Sequence, residues 1–208
     1  MDYSMLVNKD NPLNKYFVIE NLVPVGKHYD EDNNTYIDCD ILLESVAANY
    51  LSLMLEEVNK IDDSKKVIPN SGYRDIVSQQ RVMDYYIELE GIDKAMKRVS
   101  IPGTSEHHTG LAIDIAVLVD GKELINLDEA KEQFEFIIEN AYKYGFILRY
   151  PSDKTEITGI MYEPWHFRYV GERLAKYLYF NNLTLEEYYS NIKINSSTSL
   201  ARKRKKNK

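Results

Sequence analysis

The chain has 208 residues, of which 28% are charged and 44% hydrophobic, and its formal net charge is −7. That length suffices for one full-sized domain with its own core. The acid excess excludes general nucleic-acid binding, which needs a basic face, and no eighteen-residue apolar run exists to span a membrane.

The amino-terminal MDYSMLVNKDNPL lacks the apolar stretch of a leader peptide, which gives the expectation of a cytoplasmic protein. Residues 1–39 read as an arm packed on the domain, winding from residue 11 through short extended pieces, KYFVI and TYIDC. The single cysteine, Cys39, excludes an intramolecular disulfide and reads as a small core residue. From Asp40 to Asn59, apolar residues recur at Leu43, Val46, Ala47, Tyr50, Leu51, Met54 and Val58. This is the stripe of a helix, with Asp40 as its N-cap. KKVIPNSGYR reads as a short strand ending in a turn, and DIVSQQRVMDYYIELEG as a second helix stopped by Gly91.

Beyond the segment GTSEHHTGLAIDIAV, the Asp-Gly pair of VDGKEL predicts a hairpin. NLDEAKEQFEFIIENAYKYG predicts a long helix with an Asn126/Glu129 capping box and an apolar face of Phe134, Ile137, Ile138 and Ala141. FILRYP and EPWHFRYVG read as strands. Two short helices follow, the second opened by Thr184 with Glu187 three residues on. Residues 191–208, ending in ARKRKKNK, read as a basic disordered tail. A small, mostly antiparallel sheet flanked by helices makes residues 40–190 a single α+β domain.

The chemistry concentrates in LAIDIAV. Leu111, Ile113, Ile115 and Val117 alternate with Ala112, Asp114 and Ala116, so the strand period turns Asp114 away from the branched residues and sets it between small alanines. A carboxylate in such a setting must be paired or bound to a metal. The chain has four histidines: His28, His107, His108 and His166. A catalytic zinc site takes three N/O ligands and keeps a fourth position open. His107, Asp114 and His166 can supply such a set, with Glu163 as a base. Spacing leaves other readings open: Asp114 hydrogen-bonded within its strand, the paired histidines exposed in a turn, and His166 bonded to a backbone carbonyl.

SEHHTGLAID resembles the S-x-H-x-x-G-x-A-x-D motif of the zinc D-alanyl-D-alanine carboxypeptidases of the VanY type. EPWHFRYVG is similar to that family's second metal motif, and SGYR and GFILRYP resemble its other signatures, all in family order between Ser71 and Gly171. The resemblance implies one zinc per chain on the sheet, bound by His107, Asp114 and His166, with His108 at a variable, non-ligating position. It implies Glu163 as general base and acid, Arg74 as stabiliser of the transition state and as a substrate-binding residue, and Gln79 and Ser105 as holders of the substrate's terminal D-alanine. Tyr150 and Trp165 are candidates for the pocket wall. The partner so implied is a D-Ala-D-Ala dipeptide or a peptidoglycan precursor ending in it. L,D-carboxypeptidases that trim tetrapeptide stems and phage-type endopeptidases share nearly the same motifs. A zinc-binding module that had lost catalysis would lack the base or the arginine, and both are present.

Pro164 biases Glu163 toward an extended backbone. In a continuing strand Glu163 and His166 would face opposite sides, so a bend or bulge at Glu163-Pro164 is expected to turn both toward the metal.

Overall fold

The computed structural model describes residues 1–30, 32, 33 and 35–194. Much of the segment expected as a winding arm is a hairpin, in which β1 (Leu22–Asp30) pairs antiparallel with β2 (Thr35–Glu44). β2 runs through residue 40, so Asp40 is a strand residue opposite Lys27 rather than a helix cap. Helix α1 starts five residues later, over Ser45–Val58, and is capped by Glu44, whose carboxylate accepts from the amides of Val46 and Ala47. The apolar stripe is real but spans two elements: Leu43 is buried from the strand, and Ala47, Leu51, Met54 and Val58 from the helix. Residues 35–40 are exposed on both faces of the hairpin. Cys39 is therefore exposed, not a core residue.

The main sheet has the order β3 (Lys65–Ser71), β4 (Ala112–Val119), β7 (His166–Tyr169), β6 (Phe146–Leu148), with β5 (Glu123–Asn126) also on β4. Every pairing is antiparallel. β7 takes the first half of one β4 edge and β5 the second half, while β3 takes the other edge. The Asp-Gly turn joins β4 to β5 as expected, with positive φ at both Asp120 and Gly121. Pro69 sits in β3, a strand with one sheet partner, where its missing N–H costs least.

Leu111, Ile113, Ile115 and Val117 are buried with Ala47, Leu51, Met54, Ile137, Phe146 and Phe167 in one core. At about 25 cal/mol per Å² of apolar surface removed from water, this face dominates the folding energy. The opposite face of β4 presents Asp114, between the small Ala112 and Ala116, to the candidate site. Two helices stand by that site: α2 (Ile76–Glu90), capped by Asp75 and stopped at Gly91 with φ 85°, and α3 (Ile92–Arg98), which the sequence reading did not anticipate.

The long helix expected over 126–145 is three pieces. The Asn126/Glu129 capping box closes only a short turn, Leu127–Glu129, because Ala130 leaves the helical region at φ −95°, ψ 77°. Helix α4 then covers Lys131–Asn140, and a second turn, Ala141–Tyr144, ends at Gly145. After a single turn α5 (Thr155–Thr158), helix α6 (Glu172–Asn181) and a helix over 185–194 are the last described elements. The second is opened by reciprocal bonds between Thr184 and Glu187. Residues 191–194 of the expected disordered tail belong to that helix, and 195–208 lie outside the described residues.

Candidate active site

Asp114 lies directly opposite His166 in the β4–β7 register, on the face of β4 away from the core. His107 arrives from the turn Glu106–Thr109, opened by Ser105, whose hydroxyl accepts from the His107 amide at 3.3 Å. Gly110 closes that turn in the left-handed region at φ 66°, and its carbonyl takes the Glu44 amide at 2.8 Å, joining the turn to the cap of α1. A side chain at Gly110 would meet Leu22, so glycine is needed for space as well as conformation.

Three ligand atoms, one each from His107, Asp114 and His166, lie within 4.8 Å of one another. His107 Nδ1 donates to the Gly72 carbonyl at 2.6 Å, which leaves the Nε2 lone pair facing Asp114 Oδ2 at 3.3 Å. A Cβ at Gly72 would overlap the Leu42 carbonyl, so only glycine brings that acceptor so close. Burial, reinforced by the Arg74 charge, lowers His107 to about 4, so the ring is neutral, the form that ligates metal. Its Nε2 is buried without a hydrogen-bond partner.

His166 behaves oppositely. Burial by itself would lower it, but the hydrogen bond to Asp114 and the nearby Glu106 carboxylate outweigh that and raise it to about 9. His166 Nδ1 is 2.9 Å from Asp114 Oδ1. The Asp114 carboxyl, though buried, is held far below the usual range by the two histidines. A carboxylate flanked by two imidazoles, one with an unused buried lone pair, matches the N/O donor set of a divalent metal such as zinc.

Glu163 stands beside this cluster, its carboxylate 3.7 Å from His166 Nδ1. Burial pushes its carboxyl up to about 7. The backbone turns at Pro164-Trp165, with the His166 amide bonded to the Glu163 carbonyl at 3.2 Å. This is the expected bend, and it brings both side chains to one pocket. Arg74, Gln79, Ser105, Tyr150 and Trp165 line the same pocket. Arg74 lies in the irregular segment between β3 and α2, and Gln79 on the first turn of α2. Arg74 Nε and Gln79 Oε1 are buried without partners, while Gln79 Nε2 donates to the Ser100 carbonyl.

His108 is excluded from the cluster by its own bonds. Its Nδ1 donates to the Arg74 carbonyl at 2.6 Å, and its Nε2 accepts from the Gly103 amide at 3.0 Å. With both nitrogens engaged, it serves the position of Arg74. His28 lies on β1 and is no part of the cluster.

Sequence reasoning missed Glu106, Arg149 and Arg168, all essentially fully buried. A signal was present, since Arg149 and Arg168 adjoin or interrupt apolar strand segments, where an unpaired charge would be costly.

With this geometry in view, the sequence profile of the family VanY, D-alanyl-D-alanine carboxypeptidase, matches residues 40–172. The chain belongs to that family. It is 43% identical over 147 residues to the putative carboxypeptidase YodJ of Bacillus subtilis, covering 71% of this chain and 53% of the relative. It is 33% identical to VanXYC of Enterococcus gallinarum, a bifunctional D-Ala-D-Ala dipeptidase and carboxypeptidase, over 91% of this chain and 94% of the relative. It thus spans about half of YodJ but nearly all of VanXYC.

Among solved structures, the D,D-dipeptidase VanXYg in complex with a D-Ala-D-Ala phosphinate analogue superposes with a TM-score of 0.75 at 37% identity, covering 92% of this chain and 72% of that one. The LD-carboxypeptidase LdcB gives 0.74 at 37% identity, covering 89% and 84%. A VanY D,D-pentapeptidase E175A mutant in complex with Zn(II) gives 0.73 at 34% identity, covering 91% and 99%.

Proposed function

We propose that the protein is a zinc-dependent D,D-peptidase that removes the terminal D-alanine from D-Ala-D-Ala, as the free dipeptide or at the end of a peptidoglycan precursor. The observation that carries this reading is the convergence of His107, Asp114 and His166 within 4.8 Å, with Glu163 at 3.7 Å from His166 and Arg74 lining the same pocket. His107 Nε2, an Asp114 oxygen and His166 Nδ1 would hold the metal. When bound, zinc supplies the Lewis acidity that makes water deprotonation accessible near neutral pH.

The chain's own residues do the rest. Glu163, with a carboxyl raised to about 7, takes the proton of the attacking water and returns it to the leaving amine. Arg74 has an unbonded buried Nε and a planar, fixed charge, suited to the oxyanion or the substrate carboxylate. The Ser105 hydroxyl accepts from its own turn and keeps its proton free to donate to the substrate carboxylate. Gln79, with its amide nitrogen committed to Ser100, offers an oxygen, which suits a substrate N–H. The Tyr150 ring stacks obliquely on His166 at 4.9 Å and keeps water from that side.

The near full-length match to the bifunctional enterococcal enzyme favours action on D-Ala-D-Ala both as the dipeptide and at the end of a longer peptide, and a cytoplasmic location is part of the same proposal. No helix among the described residues is long and apolar enough to cross a membrane. The test is to measure D-alanine release from D-Ala-D-Ala, a pentapeptide stem and a tetrapeptide stem, with and without chelator. Chelator-sensitive release from the first two is expected. Activity on the tetrapeptide alone would replace the D,D reading with the L,D one, towards which the likeness to LdcB points. Recovery of the native protein in the membrane or wall fraction would overturn the location.

A further inference from the structure

Glu106 sits in the turn between Ser105 and His107, yet its side chain points away from the ligand cluster, to the far side of His166. Its carboxylate is wholly buried. Oε1 accepts from Arg149 Nε and from Arg168 Nη1, both at 2.8 Å. Oε2 has no hydrogen-bond partner and lies 3.6 Å from His166 Nε2, which is also buried and unbonded. The other ring nitrogen, Nδ1, is the one that faces Asp114. His166 thus stands between two carboxylates, one on each nitrogen.

Two unpartnered polar atoms, buried and facing one another, are costly unless one carries a proton aimed at the other. A shift of a few tenths of an ångström would bring them within hydrogen-bond range. The charges around Glu106 decide which atom has the proton. Arg149 shares its guanidinium with Glu186, at 3.0 and 2.6 Å, and Arg168 is bonded to the carbonyls of Tyr3, Met5 and Tyr169. With two arginines on one oxygen, Glu106 is an anion, and an ionised carboxylate only accepts. The hydrogen must therefore be on His166 Nε2.

We propose that Glu106 is a positioning residue that holds the proton on His166 Nε2, so that the Nδ1 lone pair is fixed toward the metal. The proposal rests on the zinc reading given above. On their outer sides the two arginines are bonded to Glu186 of the 185–194 helix and to the carbonyls of Tyr3 and Met5, while Glu106 itself meets His166.

The direct test uses the unaltered, zinc-loaded protein. Long-range proton–nitrogen correlation spectra should show His166 protonated at Nε2 and metal-bound at Nδ1. Zinc on Nε2, or a proton on Nδ1, would overturn the role of Glu106 and leave the zinc site standing. Failure to bind zinc at all would overturn both.

A second measurement separates orientation from general stability. In Glu106→Gln the amide oxygen is claimed by the arginines, so its NH₂ faces His166 Nε2 and favours the wrong tautomer. Zinc affinity, read by chelator competition, should fall about 10–100-fold, as for other partners behind a metal-ligating histidine. Glu186→Gln weakens the same arginine from the outside while leaving Glu106 on His166. It should lower Tm but leave zinc affinity within about twofold. Equal weakening by the two variants would show that Glu106 serves only the fold.

Discussion

His107 and His108 are adjacent in sequence, and their hydrogen bonds assign them to different tasks. His107 spends Nδ1 on the Gly72 carbonyl and keeps Nε2 for the cluster, whereas His108 spends both nitrogens on backbone. His107→Ala should lose zinc by metal analysis, and full zinc in that variant would sink the ligand set. His108→Ala should retain zinc but free the Arg74 segment, and kcat should fall while zinc content holds. Glu163 carries the sharpest expectation. Glu163→Gln keeps the shape but cannot shuttle a proton, so zinc and fold should persist while kcat falls about 10²–10⁴-fold. Because the base acts in the transition state, the loss should appear in kcat rather than KM. Near-normal turnover would place the base elsewhere. Candidates were legible because a lone aspartate in an apolar alternating strand needs a partner, and the motif resemblance then distinguished His107 from His108 and singled out Glu163. Glu106 was less so, because its role depends on two arginines 43 and 62 residues away.

Among the elements, local rules succeeded where one element is bounded by its own residues. Gly91 ends α2, and Asp120-Gly121 makes the β4–β5 turn. They failed where an apolar pattern is shared between elements. Leu43 fits the helical stripe of α1 but is buried from β2, because a strand leading directly into a helix can point its last inward residue at the same core. The cap is therefore Glu44, whose carboxylate reaches two amides of the first turn. Replacing such a cap costs about 1 kcal/mol, which in a domain of this size lowers Tm by about 2–4 °C. Glu44→Ala should show that shift by calorimetry, whereas Asp40→Ala should leave Tm unchanged. A loss confined to Asp40→Ala would restore the longer helix.

For the whole molecule, the Arg149–Glu106–Arg168 group couples the amino-terminal segment, the sheet and the last helix. Removing one partner of a fully buried pair costs far more than breaking a surface bridge. The folded Glu106 carboxyl lies well below its unfolded value, despite the burial that opposes this, because the two arginines favour the anion. Its stabilisation is therefore complete above the ordinary glutamate value of about 4.3 and is lost as pH falls through the folded value. His166, raised to about 9, contributes fully below about pH 6.5. Over the window from about 6.5 to 4, the loss from the lowered His107 is opposed by the gain as the raised Glu163 becomes protonated. Acid unfolding of the chelated protein, followed by circular dichroism, should accordingly have its midpoint below about pH 4. A midpoint near pH 6 would show that the histidines govern acid stability. Saturating zinc should raise Tm, by about 4 kcal/mol of stability at a thousandfold excess over Kd.

The sequence by itself determined the class of fold and offered the candidate ligands, through short-range rules: period two in a strand, a glycine where the chain must turn, a carboxylate that cannot be left bare in apolar surroundings. The choice among readings of His107, His166 and Glu163 came from the resemblance of their motifs to a known family. The tertiary structure alone decided the hairpin in place of an arm and the division of the 126–145 segment. It also decided which nitrogen of each histidine is free. Those outcomes depend on partners distant in the chain: the Gly72 carbonyl against His107, Glu106 behind His166, and the carbonyls of Tyr3 and Met5 behind Arg168. No local pattern encodes them, because the desolvation that makes each bond necessary exists only once the chain has closed around it.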